Sequence, residues 1–192
     1  MTDSDLVAAV GPVVDALNTA GVRYYLSGSL ASSAHGIARA SVDADLVAEL
    51  EGEHVDLLIE RLQSAYYIPV DRLRTAVAER SSCNFIHLAT MFKVDVFVSK
   101  RREFDRVAAD RARLEPIDET PGAPRFLIAS PEDTVLAKLE WFRRGGETSE
   151  RQWWDIVGIL KVAETDRDYL RRWAGALGVT DLLARALEDA AR

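Results

Sequence analysis

The 192-residue sequence holds one cysteine, Cys83, three histidines and two methionines. A single thiol excludes an internal disulfide and a cysteine-rich zinc site. His35, His54 and His87 have no metal-ligand spacing, and we read each as structural or surface. No apolar run reaches the roughly 18 residues of a membrane span, so none is expected. The first residues, Met-Thr-Asp-Ser-Asp, are acidic and show no signal-peptide pattern. A soluble cytoplasmic protein is therefore expected. Bases are scarce at one end. Residues 1–60 carry only Arg23 and Arg39 against ten acids. That stretch has a charge of −8, the remainder +1, and the whole chain −7. Such an acidic chain is poorly suited to coating DNA without specificity, although a local basic patch can still bind nucleic acid.

What is present is an ordinary globular composition, 48% hydrophobic and 29% charged, enough for one core and a small second lobe. Leu6, Val10, Val13, Val14 and Leu17 share one face of an expected helix over 3–20, which Pro12 interrupts and Gly21 stops. The pattern then predicts a strand over 22–27, a short helix over 29–35, a strand over 41–48 and a helix over 53–64. A short strand over 66–70 and a helix over 72–79 capped by Asp71 follow. Strands over 84–88 and 93–98 form a hairpin, and 100–110 reads as a charged helix. Residues 112–128, with Pro116, Pro121, Gly122 and Pro124, read as irregular or extended, a linker.

Beyond the linker the pattern is helical. Ser130-Pro131-Glu132-Asp133 and Ser149-Glu150-Arg151-Gln152 are helix starts, and Asp166 and Thr180 cap two last helices. The fold class expected is α/β: a sheet lobe over 1–128, then a helical lobe over 129–192.

The chemistry gathers in residues 24–50. A buried strand breaks at Ser27-Gly28-Ser29 and turns into a helix. The first N–H groups of a helix lack internal partners and attract anions, and a glycine there lets a phosphate approach the backbone. The plain alternative is a turn with Ser29 as helix cap. Asp43 and Asp45 then fall on one face of a strand, since strand side chains alternate. Two adjacent carboxylates repel unless a cation sits between them, and a hard divalent metal fits such oxygen ligands. The alternative is a pair of solvated acids on an edge strand. Asp95 is an acid in an apolar strand, either salt-bridged to an arginine or the third member of a metal set.

Lys138 lies at the rim of an apolar helix face, where it either snorkels or neutralises a triphosphate. Arg151 and Asp155 are four apart on a helix, where they either pair with each other or face the site. The basic 100–113 segment reads as a solvated helix or an RNA-contacting rim. Trp141, Trp153, Trp154 and Trp173 read as packing of the helical lobe.

Gly28-Ser29 after a strand, Asp43-Ala44-Asp45 on the next strand and Asp95 on a later one resemble the DNA polymerase β-like nucleotidyltransferase superfamily. Arg39, Lys138-Leu139, Arg151 and Asp155 extend the likeness to AbiEii-like toxins of type IV toxin–antitoxin systems. Departures are Ser29, where that family often has a second glycine, and Trp153-Trp154 in the last motif.

The resemblance implies a mixed β-sheet flanked by helices and a C-terminal helical lobe. It implies Mg²⁺ or Mn²⁺ held by Asp43, Asp45 and Asp95, with catalysis by these three and Lys138. A nucleoside triphosphate would be bound by Gly28, Ser29, Arg39, Lys138 and Asp155. The implied reaction moves a nucleoside monophosphate to an RNA (transfer RNA) or protein hydroxyl, with release of pyrophosphate. A cognate antitoxin is the implied partner. The second reading is a module of the same fold that binds nucleotide or a partner without turnover.

Overall fold

The computed structural model describes residues 3–37, 43–116 and 123–192. Among these, seven strands form one mixed sheet in the order β3-β4-β5-β2-β1-β7-β6. The strands are β1 (Tyr24–Ser27), β2 (Asp43–Ala48), β3 (Tyr66–Tyr67), β4 (Ser82–His87), β5 (Lys93–Val98), β6 (Arg113–Pro116) and β7 (Arg125–Ile128). The helices before β6 are α1 (Asp3–Thr19), α2 (Gly28–Ala34), α3 (Gly52–Leu62), α4 (Val70–Glu79) and α5 (Glu103–Arg111). After β7 come α6 (Pro131–Arg144), α7 (Glu150–Val162), α8 (Arg167–Leu177) and α9 (Thr180–Ala191).

The central strands are buried on one face and largely covered on the other, and alternation sends their side chains into two cores. Leu26, Ala44, Leu46, Val94 and Val96 join apolar residues of α1, α3 and α4. Tyr25 enters the other core with Phe104 of α5 and the apolar faces of α6 to α9, and the half-buried Val47 packs against it. Asp43 and Asp45 share the parity of Val47, so the short acidic end of β2 faces the helical lobe.

Polar clamps dock that lobe. The Arg102 guanidinium bridges Asp105 of α5 and Glu140 of α6, at 2.8 and 2.6 Å. Arg111 reaches Glu132 at 2.7 Å and Asp133 at 3.2 Å, and its guanidinium lies 4.0 Å from the Tyr169 ring centre. The Tyr169 hydroxyl donates to Asp133 at 2.6 Å, which ties α8 to the same point. These groups are buried or half-buried and mutually satisfied, as a polar network in a core must be.

Several expectations need correction. Residues 113–116 and 125–128 are strands of the sheet, with β7 parallel to β1, because the Phe126 and Ile128 side chains are buried in the core. β2 is a central strand, not an edge strand. Ser27, not Ser29, holds the N-cap position of α2, and Ser29 lies inside the helix. Pro69 caps α4, and Asp71 sits in its first turn. The strand expected over 66–70 is only Tyr66–Tyr67, since the chain turns into α4 at Val70. The helix expected from 100 begins at Glu103. Val179, not Thr180, caps α9. Ser130 and Ser149 cap α6 and α7 by accepting from Asp133 N–H and Gln152 N–H, and Asp166 caps α8.

Candidate active site

The site begins where β1 ends. Gly28 has φ +59, which side-chain-bearing residues rarely adopt. A Cβ built on it would overlap Asp45 Oδ2. β1 and β2 are antiparallel and pair Ser27 with Asp45, so the carboxyl of Asp45 lies over the turn that opens α2. Glycine is required here twice, for the backbone angle and for the approach of Asp45. Ser29, the next residue, is buried.

The neighbouring strand completes the acids. β2 and β5 run parallel, in a register that pairs Asp43 with Lys93 and Asp45 with Asp95. Asp95 is buried, with only 8% of its surface exposed. It accepts hydrogen bonds from Asn84 Nδ2, its cross-strand partner on β4, and from Lys93 Nζ at 2.6 Å. Lys93 Nζ also lies 3.5 Å from Asp43 Oδ2. The partner of Asp95 is therefore a lysine, not the arginine of the alternative reading. Burial pushes the Asp45 carboxyl from 3.8 up to about 6, and the charges of Asp43 and Asp95 push the same way. Lys138 and Lys93 pull it back.

The helical lobe brings the last pair. Lys138 of α6 is buried rather than at a rim, and its Nζ donates to Asp155 Oδ2 of α7 at 2.8 Å. Asp155 is 4% exposed and Arg151 is exposed. The Lys138 charge acts on Asp45, which links this pair electrostatically to the three aspartates. Arg39 lies outside the described residues.

The donor chemistry suits a hard divalent cation. Three carboxylates share one sheet face, and the central one is raised towards neutrality by burial first and then by its acidic neighbours. Among the described residues no three acids, histidines or cysteines are drawn together as a finished metal cage. The Lys93 ammonium contacts two of the three carboxylates, Asp95 at 2.6 Å and Asp43 at 3.5 Å.

The family model of the AbiEii toxin nucleotidyl transferases of type IV toxin–antitoxin systems matches residues 17–190. The chain belongs to the AbiEii nucleotidyltransferase family. No curated protein matches it. Its fold is similar to that of an antigenic nucleotidyltransferase-like protein from Paracoccidioides brasiliensis, at TM-score 0.58 and 15% identity over 98% of this chain and 94% of that one. It is also similar to the antibiotic-resistance factor ANT(2'')-Ia, at TM-score 0.51 and 12% identity over 99% and 91%. The fold is thus the DNA polymerase β-like nucleotidyltransferase fold, and this AbiEii chain is a nucleotidyltransferase.

Within that frame the structure gathers Gly28, Ser29, Asp43, Asp45, Asp95, Lys138 and Asp155 on one side of the sheet. Sequence reading missed Lys93 and Asn84. Lys93 was legible, since it lies two positions from Asp95 and so on the same face. Asn84 was not, because only strand pairing sets it opposite Asp95.

The histidines have structural partners. His35 Nε2 lies 2.7 Å from the Ala129 carbonyl, and His54 Nδ1 accepts from Glu51 N–H at the start of α3. His87 Nδ1 lies 2.8 Å from the Thr90 hydroxyl. Trp173 is buried, as expected, but Trp154 is 73% exposed and Trp141 49%. Among the described residues no helix is long and apolar enough to cross a membrane. A cleft between α3 and α4, about 290 Å³ and lined by Glu51, Val55, Arg74 and Arg80, lies on the opposite helical layer from the acids.

Proposed function

We propose that this chain transfers a nucleoside monophosphate from a nucleoside triphosphate to a hydroxyl of an RNA, such as transfer RNA, or of a protein, and that it acts as the toxin partner of a cognate antitoxin. The observation that carries the site assignment is the meeting of Gly28 and Asp45, where the turn that opens α2 touches the central acid of the trio. Phosphates held against the Gly28–Ser29 backbone would lie beside those acids.

Asp43, Asp45 and Asp95 would hold the divalent metal in this reading. When bound, Mg²⁺ or Mn²⁺ supplies charge neutralisation on the phosphates and lowers the cost of the attacking oxyanion.

The chain's own groups do the rest. Lys138 turns its ammonium towards the triphosphate, and Asp155 holds that ammonium in place at 2.8 Å. The Ser29 hydroxyl donates to a phosphate oxygen. Asp95 takes the proton of the acceptor hydroxyl as its oxygen bonds to the α-phosphorus. The bond from that phosphorus to the bridging oxygen breaks, and pyrophosphate leaves. Positioning and preorganised charge carry the rate, as in other phosphoryl transfers.

The test is incubation with each α-labelled nucleoside triphosphate, Mg²⁺ or Mn²⁺, and total cellular RNA or protein. Label transfer that requires metal and disappears in Asp45→Asn is expected. A parent protein that binds triphosphate but labels nothing under any of these conditions would support the non-catalytic module instead. Growth arrest on expression, relieved by a neighbouring gene product, checks the toxin role.

A further inference from the structure

Among the described residues, Lys93 is the one cation that the sheet itself sets against the acid cluster. It leaves β5 at its first residue, in register with Asp43 and two positions before Asp95. Its ammonium contacts Asp95 at 2.6 Å and Asp43 at 3.5 Å, and 42% of its side chain is exposed. The contacts put a positive charge between two carboxylates that the metal reading requires as ligands. The exposure leaves a flexible four-carbon stem with water to swing into.

We propose that Lys93 is a tethered counter-ion for the metal-free site, and that divalent metal and the Lys93 ammonium occupy the space between Asp43 and Asp95 in alternation. The inference rests on the metal reading of the three aspartates. Three carboxylates on one sheet face repel one another when nothing cationic joins them. The lysine offsets part of that repulsion before metal arrives, which helps β2 and β5 keep their register in the empty enzyme. A carboxylate oxygen that ligates a divalent ion lies about 2.0–2.6 Å from it. An ion bound to both Asp43 and Asp95 would therefore crowd an ammonium in contact with the same oxygens, and like charges would expel the lysine. Asn84 reinforces the arrangement, since its amide donates to Asp95 Oδ1 while Lys93 takes Oδ2. When the ammonium leaves, only one oxygen of Asp95 is released for a new partner. The lysine thus lowers metal affinity while stabilising the empty site, a trade set by one side chain.

The test is Mn²⁺ titration of the full chain without nucleotide, followed by calorimetry and by paramagnetic resonance of free Mn²⁺, for the parent, Lys93→Met and Asp45→Asn. Lys93→Met should bind Mn²⁺ at least ten-fold more tightly than the parent and melt lower without metal. Saturating Mn²⁺ should close most of that gap. Equal or weaker Mn²⁺ binding by Lys93→Met, with the parent binding normally, overturns the counter-ion role and leaves the metal reading standing. Absence of Mn²⁺ binding in both parent and Lys93→Met overturns the two together.

Should Lys93→Met fail to fold, the parent supplies the second measurement. An amine-acylating reagent, read by peptide mass spectrometry, should label Lys93 several-fold faster in saturating Mn²⁺ than without it. In Asp45→Asn the same Mn²⁺ concentration should leave the labelling rate nearly unchanged. A parent whose Lys93 labelling ignores bound Mn²⁺ refutes displacement.

Discussion

Replacing Asp45 with Asn keeps the side-chain shape against Gly28 and removes one charge from the trio. The folded Asp45 carboxyl is held at about 6, against 3.8 for the ordinary group. The unfolded chain releases that proton near pH 4 and the folded chain near pH 6. Between these values the folded state binds more protons, so raising the pH destabilises it. The stabilising contribution is present below pH 4 and lost above pH 6. Roughly two pKa units at 1.36 kcal/mol each give about 3 kcal/mol at most. For a chain of this size, 1 kcal/mol moves Tm by about 2–4 °C.

Metal-free Asp45→Asn should therefore melt above the parent at pH 8, by up to about 6–12 °C, and the gap should close as the pH falls to 4. Adding Mg²⁺ at 100 times its Kd should restore about 2.7 kcal/mol to the parent and much less to the variant. Label transfer should fall by orders of magnitude in the variant. Differential scanning fluorimetry from pH 4 to 8, with and without metal, reads the stability terms. Parent and variant curves that stay parallel across that range would refute the reasoning, because they would mean that Asp45 feels neither burial nor its neighbours.

Lys138→Met should destabilise the protein by about 3–5 kcal/mol in urea denaturation, because it leaves the Asp155 carboxylate buried without its cation. The double variant with Asp155→Leu should recover much of that stability but no triphosphate binding; a single variant as stable as the parent contradicts the buried pair. Gly28→Ala should lose both the Mg²⁺-induced thermal shift and label transfer, since its methyl overlaps Asp45 and its φ of +59 strains any side-chain-bearing residue. Unaltered metal binding in Gly28→Ala would show that Asp45 is not a ligand. Ser29→Ala should not show the stability loss of a removed helix cap, because Ser27 holds the cap position of α2. It should weaken triphosphate binding by about 1.5–3 kcal/mol, roughly 10- to 150-fold. A lower Tm with unchanged nucleotide affinity would assign Ser29 to folding alone.

Local patterning determined a good deal by itself. Period-two alternation placed Asp43 and Asp45 on one face and Asp95 beside Lys93, since strand geometry leaves no other choice. The caps at Ser130, Ser149 and Asp166 were legible because their side chains bond to groups only two or three residues away. Gly28 marked the turn. What sequence spacing could not supply was any statement about neighbours distant in the chain. The pairing of β2 with β5 put Lys93 next to Asp43, 50 positions apart, and set the acids in a half-buried cluster on a central strand, not on the solvated edge of the alternative reading. Packing of α6 and α7 on the sheet drew Lys138 inwards to Asp155, although the helical pattern alone put it at the rim. Residues 112–128 carry too many prolines to read as sheet, yet β7 closes onto β1 because Phe126 and Ile128 bury there. Side-chain parity and caps are fixed within a few residues, whereas strand register and helix docking are set by the free energy of the whole core. For that reason the acids of the site were written in the sequence, and the cations that answer them were decided by the fold.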